Sequence, residues 1–212
     1  MGPPTFLGPL IALATPPTPS HEDQLGGRPP SAGKLAMVVQ KQTQTNWCWA
    51  ATSTSVSLFF DSGSRWTQCK VANTTLGKSD CCGSGANGHC NVPYYLDDAL
   101  TTTGNFDRFA TGTEDFSSVQ EEINRNRPLC IRVGWFGGGG HFLCIVGWIE
   151  AASGTSYYDL SDPIYGDSQV ALATLGGSYQ GSGTWSHSYF VRSTSTGGLA
   201  AASTRAPGTM GA

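Results

Sequence analysis

The sequence predicts an α+β fold, in which an N-terminal helical half packs against a C-terminal antiparallel β-sheet half. The length of 212 residues fits one domain. Before Pro128 apolar residues recur at helical spacing, whereas beyond it short β-branched and aromatic segments alternate with glycine. Because the two kinds of element are segregated along the chain, we expect a functional site in the cleft between the halves.

Four helices are expected in the first half. The first runs from Cys48 to about Phe60, where apolar residues lie close to one face at helical spacing. A fourth is expected to end before Pro128, with Ser117 or Ser118 as its N-cap. The two between them are shorter: Gln68 to Leu76 and Pro93 to Thr101.

Five strands are expected in the second half, from segments that are short, apolar and bounded by glycine. They are Leu129 to Trp135, His141 to Ile149, Ser156 to Leu160, Val170 to Leu175 and Trp185 to Arg192. Residues 1–35 and 194–212 are rich in Pro, Gly, Ser and Thr and lack periodicity, as in a leader or linker and a flexible tail. The folded domain is therefore predicted over residues 36–193.

The charge balance excludes several classes of partner. Charged residues make up 13% of the chain and the net charge is -3, with no cluster of Lys and Arg that could neutralise phosphates. We therefore expect no nucleic-acid partner.

No apolar run approaches the ~20 residues that span a bilayer, so no membrane insertion is expected. Residues 6–14 form a short apolar run interrupted by Pro9, which gives only weak support for a signal peptide.

Seven cysteines indicate an oxidising compartment, and their odd number leaves at least one unpaired. We therefore expect a secreted or periplasmic protein. The cluster comprises Cys69, Cys81, Cys82 and Cys90. With His89 it could bind zinc, but it contains no C-x2-C pair and its two adjacent cysteines suit tetrahedral coordination poorly. Disulfides are favoured, with their connectivity open.

Cys48 is the candidate nucleophile. A polar segment that begins near Gln42 leads directly into the first predicted helix, and Cys48 lies in its first turn. Unpaired N–H groups and the dipole at a helix N-terminus favour an anion, so a thiolate is stabilised at such a position. The alternative is a buried or disulfide-bonded cysteine. Cys130 and Cys144 fall on consecutive predicted strands and are expected to be reduced core residues.

His141 and Asp162 could complete a catalytic triad with Cys48. His141 follows four glycines at the start of an apolar strand, and Asp162 precedes Pro163 where another strand ends. A nucleophile, a base and a group that orients the base are what covalent acyl transfer requires. The alternatives are a polar strand terminus for the histidine and ordinary turn chemistry for the aspartate. Gln42 is near enough to Cys48 for its side chain to join the Cys48 backbone N–H in an oxyanion hole.

The remaining candidates concern the cleft and a second base. Trp47 and Trp49 flank Cys48, and Gly140 precedes His141, so these three residues are expected to line the substrate cleft. His187 lies on a predicted strand and is an alternative base. It lacks a following Asp-Pro element, so His141 is preferred.

The ordered pattern Gln42-x5-Cys48-Trp49, Gly140-His141-Phe142 and Asp162-Pro163 resembles the papain-like cysteine peptidases, in particular the small bacterial effector and bacteriocin-leader-processing peptidases. It spans about residues 38–166. The resemblance implies a papain-like fold and peptide-bond hydrolysis, with the glutamine, cysteine, histidine and aspartate in the four familiar roles. Papain itself carries Asn as the third triad residue, and Asp162 follows the bacterial variants. The implied partner is a protein or peptide substrate, with no cofactor, no metal and a monomeric enzyme.

Two other functions use the same features. A transglutaminase, deamidase or other acyltransferase acting on protein glutamine would also present Cys, His and Asp in this order, although Gln42 favours the peptidase. A secreted binding module could keep the papain-like cleft without activity.

Overall fold

The structure combines helices with a single β-sheet, against which several of the helices pack. The structure is a computed structural model that describes residues 31–194. Its helices are α1 (Cys48–Phe60), α2 (Gln68–Leu76), α3 (Leu96–Thr103), α4 (Phe116–Asn124) and α5 (Leu172–Gly177). Its strands are β1 (Ser31–Lys34), β2 (Phe106–Thr111), β3 (Leu129–Trp135), β4 (Gly140–Glu150), β5 (Ser156–Asp162), β6 (Gly166–Ala171) and β7 (Gly183–Val191).

The sheet is antiparallel and has the order β2-β7-β3-β4-β5-β6, with β1 paired to β4. Strand β4 is long enough for two partners in succession, since β3 pairs with residues 140–145 and β1 with residues 147–150. Strand β5 lies alongside residues 144–150 of β4. The start of β4 and the end of β5 therefore lie on neighbouring strands of the sheet, which matters for the site. The α+β prediction is confirmed.

Helix α1 is buried along most of its length, because small residues let it pack closely against its neighbours. Residues 49–57 are all buried, and seven of these nine are Ala, Ser or Thr. All of its buried hydroxyl groups except that of Thr54 form hydrogen bonds, as where Ser55 Oγ donates to Ala51 O at 2.7 Å and Thr52 Oγ1 to Phe142 O at 3.4 Å. The second of these bonds joins α1 directly to β4.

Several helix boundaries differ from those predicted. Helix α4 is capped by Asp115, whose Oδ1 accepts a hydrogen bond from the Ser118 N–H at 2.7 Å, and not by Ser117 or Ser118. Asp115 thereby satisfies one of the N–H groups at the helix start that have no partner within the helix. Helix α3 begins at Leu96, since its N-cap Tyr95 has extended backbone.

The strand predictions missed two elements and merged two others. Strand β1 lies inside the stretch predicted as a leader, and β2 has too little apolar alternation to be recognised. The predicted strand from Val170 to Leu175 is wrong as a single element: β6 ends at Ala171 and α5 begins at Leu172.

The domain limits and the signal-peptide interpretation stay predictions, because residues 1–30 and 195–212 lie outside the described residues. Among residues 31–194, every helix is too short or too polar to cross a membrane.

Two disulfides close the loop between α2 and α3. Cys69 pairs with Cys82, and Cys81 pairs with Cys90. The zinc alternative for this cluster is therefore wrong, because all four sulfur atoms are committed to these bonds. Such crosslinks typically stabilise a domain by about 2–4 kcal/mol, mainly by restricting the unfolded chain. The free thiols of Cys130 and Cys144 lie opposite each other on β3 and β4, buried, with their sulfur atoms 3.2 Å apart.

Candidate active site

Cys48 is the first residue of α1 and is partly exposed. The N-cap Trp47 makes no side-chain hydrogen bond to the first turn, and that turn contains no acidic residue. The N–H groups and the positive end of the helix dipole therefore act on the Cys48 thiol without competition from a capping carboxylate. This is a position that stabilises a thiolate.

The segment that enters α1 is held by the side chain of Gln42. Its Nε2 donates to Gln44 O at 2.9 Å and to Thr45 O at 2.8 Å. Its backbone N–H donates to Pro163 O at 3.0 Å, which ties the segment to the end of β5. Gln42 thus fixes the loop in front of Cys48, and both of its amide N–H groups have partners within that loop.

Residues 90–92, which follow the second disulfide, hold the same segment from the other side. They form five hydrogen bonds with residues 45–49: Asn46 N–H to Asn91 Oδ1, Asn46 Nδ2 to Asn91 O, Asn91 Nδ2 to Thr45 Oγ1, Trp47 Nε1 to Cys90 O and Trp49 Nε1 to Val92 O. The disulfide-closed loop is consequently part of the support of Cys48.

The imidazole of His141 lies between Cys48 and Asp162. Its Nε2 is 2.9 Å from each carboxylate oxygen of Asp162. The Cys48 thiol lines the same cavity and lies close enough to the ring to raise its pKa. Because Nε2 is engaged by the carboxylate, Nδ1 is the nitrogen that faces the sulfur. Trp135 stacks on one face of the ring, with centroids 6.1 Å apart, and Tyr165 meets it edge-on.

The pKa of His141 is raised to about 9. Burial is the largest influence and on its own would lower the pKa. The hydrogen bonds to Asp162 and Cys48, together with the negative charges of these two groups, outweigh it. At neutral pH the ring is therefore an imidazolium, which favours the thiolate form of its sulfur partner.

Asp162 is buried, and both of its carboxylate oxygens accept hydrogen bonds. Oδ1 accepts from the backbone N–H groups of Ile164 at 2.7 Å and Tyr165 at 2.9 Å. Oδ2 accepts from the Tyr179 hydroxyl at 2.8 Å, and His141 reaches both oxygens. These bonds hold both carboxylate oxygens in place beside the imidazole.

A cavity of about 270 Å³ opens onto Cys48 and His141. Its other lining residues are largely aromatic or apolar, and they are Thr45, Asn46, Trp49, Pro93, Tyr94, Trp135, Gly140, Phe142, Ile164 and Tyr165. Such walls can bind apolar side chains of a peptide beside the reactive sulfur. A larger groove of about 580 Å³ is lined by residues of 34–38 and of strands β4 to β6, and it contains none of the predicted catalytic residues.

The three residues predicted for the cleft have different surroundings. Trp49 and Gly140 line the cavity, whereas Trp47 is 1% exposed and lies in the core, where its ring N–H donates to Cys90 O. A Cβ at Gly140 would lie 2.5 Å from Cζ of Arg132, so a larger residue there would displace the Arg132 side chain. That guanidinium is held in place by Gly139 O at 2.9 Å.

The structure thus brings Cys48, His141 and Asp162 together, with Gln42 in the loop beside them. His187, the alternative base, lies on β7 with its Nδ1 3.1 Å from Ser186 Oγ, and burial lowers its pKa. Tyr179 and Asn91 are functional candidates that sequence reasoning missed. No local motif marks either residue, because each acts through a contact with a distant part of the chain.

Comparison with known proteins gives a consistent result. The family model described as papain-like cysteine protease AvrRpt2 matches residues 31–180, which is more than half of the chain. A search of curated proteins gave no significant match. The matched range contains the cysteine, the histidine, the aspartate and the sheet that joins them.

Proposed function

We propose, because the chain belongs to the papain-like cysteine protease AvrRpt2 family, that it hydrolyses peptide bonds in proteins with Cys48, His141 and Asp162 as its catalytic triad. The chain is a cysteine peptidase, and the assignment of roles to these residues is the proposal. The observation that carries it is the position of the His141 ring, which shares a cavity with the Cys48 sulfur and is hydrogen-bonded to the Asp162 carboxylate.

In the first half of the reaction, the Cys48 thiolate attacks the carbonyl carbon of the scissile bond. The carbonyl electrons move to oxygen, and the resulting oxyanion is stabilised by the unpaired N–H groups at the start of α1. His141 then gives its Nδ1 proton to the departing amine as the C–N bond breaks. The product is a thioester between the substrate acyl group and Cys48, together with a free amine.

In the second half, His141 is neutral and acts as a general base. It takes a proton from water, whose oxygen attacks the thioester carbon, and the C–S bond breaks to release a carboxylic acid. The thiolate and the imidazolium are restored. Asp162 accepts the Nε2–H throughout, so the ring keeps the orientation in which Nδ1 faces the sulfur.

Activity should be lost on the alkaline side near pH 9. His141 has a pKa raised from 6.5 to about 9, so the imidazolium is present below this value and disappears as the pH rises through it. We expect kcat/KM to fall by about tenfold per pH unit above the transition. Hydrolysis of a labelled casein from pH 5 to 10.5 measures this, with return to pH 7.5 as the control for irreversible unfolding. An alkaline limb near pH 6.5 would contradict the assigned ion pair.

Gln42→Ala should lower kcat by about 10²- to 10³-fold, which is the typical cost of one oxyanion-hole donor. The oxyanion role of Gln42 stays a prediction, and it requires exchange of one hydrogen bond from Nε2 to Gln44 O or Thr45 O for a bond to the substrate oxygen. Steady-state kinetics on a peptide substrate give the value. Lys41→Ala, one residue earlier in the loop, is the control, and equal kinetics of the two variants would reject a role for the glutamine.

The products distinguish hydrolysis from the acyltransferase alternative. A peptidase converts casein to fragments, whereas a glutamine-directed acyltransferase or deamidase releases ammonia without fragments. Fragments that are lost with Cys48→Ala support the proposal, and ammonia alone refutes it.

Reaction of the native protein with iodoacetamide tests the inactive binding module, because such a module has no need of a reactive thiolate.

We further infer that the peptidase is exported, because both of its disulfides require an oxidising compartment. Mass spectrometry of the protein from the producing cell tests this. Alkylation without prior reduction should label Cys48 and leave Cys69, Cys81, Cys82 and Cys90 unmodified, and labelling of these four would contradict export.

A further inference from the structure

Tyr179 lies two residues beyond α5 and is buried, with 1% of its surface exposed. Its hydroxyl donates to Asp162 Oδ2 at 2.8 Å. Burial and the negative charge of Asp162 raise the pKa of Tyr179, so the hydroxyl keeps its proton over the whole working range of the enzyme. A group that is always protonated, and whose hydrogen faces a carboxylate, acts as a permanent donor.

The two oxygens of Asp162 are held by different parts of the chain. Oδ1 is fixed by the N–H groups of Ile164 and Tyr165, which belong to the turn that follows Asp162 itself. Oδ2 is held by Tyr179, which is the donor from outside this turn and outside the triad. His141 Nε2 lies at an equal 2.9 Å from both oxygens. Nε2 can stay equidistant from the two oxygens only if both carboxylate oxygens are held in place.

The backbone of Tyr179 is itself held in a tight turn. Its N–H donates to Gly183 O at 2.9 Å, and its carbonyl accepts from the Gly183 N–H at 2.7 Å. A Cβ at Gly183 would lie 2.4 Å from Cγ1 of Val133, so the turn packs directly on β3. The ring of Tyr165 meets the Tyr179 ring nearly at right angles, 6.3 Å away. The hydroxyl therefore has little freedom to move away from Asp162.

We propose that Tyr179 is a positioning residue of the active site, which fixes Oδ2 of Asp162 and thereby the orientation of the His141 imidazole. This inference rests on the proposed triad. Without the hydroxyl, the carboxylate is anchored at Oδ1 alone and can rotate, and the imidazole loses its fixed direction toward Cys48.

Tyr179→Phe tests the inference, with Tyr158→Phe as the matched control. Tyr158 is also 1% exposed, but its ring packs against Phe116 and Trp185, away from the triad. We expect Tyr179→Phe to lower kcat by about tenfold with KM nearly unchanged, as for the loss of one hydrogen bond to a charged group. The control should keep the wild-type kcat. Both are assayed well below their melting temperatures.

The pH profile distinguishes positioning from a loss of packing. The charged or titratable groups around the imidazole are Cys48 from α1, Asp162 from β5 and Tyr165 from the next turn, and the buried Cys144 thiol of β4 lies near Asp162. Without the Tyr179 hydroxyl, the carboxylate is less neutralised and attracts the imidazolium more strongly. The alkaline limb of kcat/KM should therefore move to higher pH. A loss of packing would instead separate the carboxylate from the imidazolium and move the alkaline limb of kcat/KM to lower pH.

A double-mutant cycle completes the test. If Tyr179 acts through Asp162, then Tyr179→Phe should cause no further loss in an Asp162→Ala background. An unchanged kcat in Tyr179→Phe, a limb shifted to lower pH, or the same tenfold loss in the Asp162→Ala background would each overturn the inference. None of these outcomes affects the triad, which would instead be refuted by full activity of Cys48→Ala.

Discussion

Replacement of Cys48 by alanine is expected to abolish peptide-bond hydrolysis and to leave the fold intact. The side chain is partly exposed at the first turn of α1, and alanine is favoured in a helix. Only the sulfur is lost, and no other group in the cavity can form the thioester. We expect kcat to fall by on the order of 10⁶-fold, as when the nucleophile is removed from a catalytic triad. Release of fragments from labelled casein measures the loss.

The matched control removes a different free thiol. Cys130 is buried on β3 beside Cys144, outside the cavity, so Cys130→Ala should lower the melting temperature by a few degrees and retain turnover. Circular dichroism establishes that both variants are folded. Substantial hydrolysis by folded Cys48→Ala would mean that another residue is the nucleophile.

His141→Ala is expected to be as damaging as loss of the nucleophile. In the proposed mechanism the ring supplies the proton to the leaving amine and its positive charge stabilises the thiolate, so both functions would end together. The variant should lose turnover by a similar factor of about 10⁶. It should also react more slowly with iodoacetamide at pH 7, because the thiolate form of Cys48 loses the neighbouring positive charge of the imidazolium. The rate of alkylation at that cysteine gives a second measurement that needs no substrate.

His187→Ala provides the comparison for the base. This histidine stacks against Tyr189 on β7 and contacts Ser186, and it makes no contribution to the cavity wall. Its replacement should leave both turnover and the alkylation rate close to those of the wild type. If His187→Ala proved inactive and His141→Ala active, the roles of the two histidines would have to be exchanged.

Much of the fold was predictable because some elements carry strong local signals. Helices α1 and α2 and strand β3 have the predicted limits, since apolar periodicity and a bounding Gly or Pro mark them. Strand β1 has no such signal: Ser31–Lys34 pairs with residues 147–150 of β4, and only that partner makes it a strand. Asp115 was overlooked as a cap because Ser117 and Ser118 offered equally acceptable capping chemistry nearby.

Some residues of the site are likewise marked by local motifs, whereas others are defined only by tertiary contacts. The order of Cys48, His141 and Asp162 along the chain, each in a recognisable local setting, was enough to predict that they meet. Trp47 was predicted to line the cleft from its place beside Cys48, yet its ring turns into the core. Adjacency along a helix says nothing about which face a neighbour occupies. The bond from Tyr179 to Asp162 was invisible for the same reason, because it depends on how α5 packs.

The loop closed by Cys81 and Cys90 needs an oxidised disulfide, whereas the proposed nucleophile needs a reduced thiol. Asn91, which holds the approach to Cys48, directly follows that crosslink. Strong reductants, which usually protect cysteine peptidases, would therefore loosen the support of this one. If Cys48 is the nucleophile, we expect turnover to be highest in surroundings that are oxidising enough to keep the crosslinks and mild enough to leave the partly exposed thiol reduced.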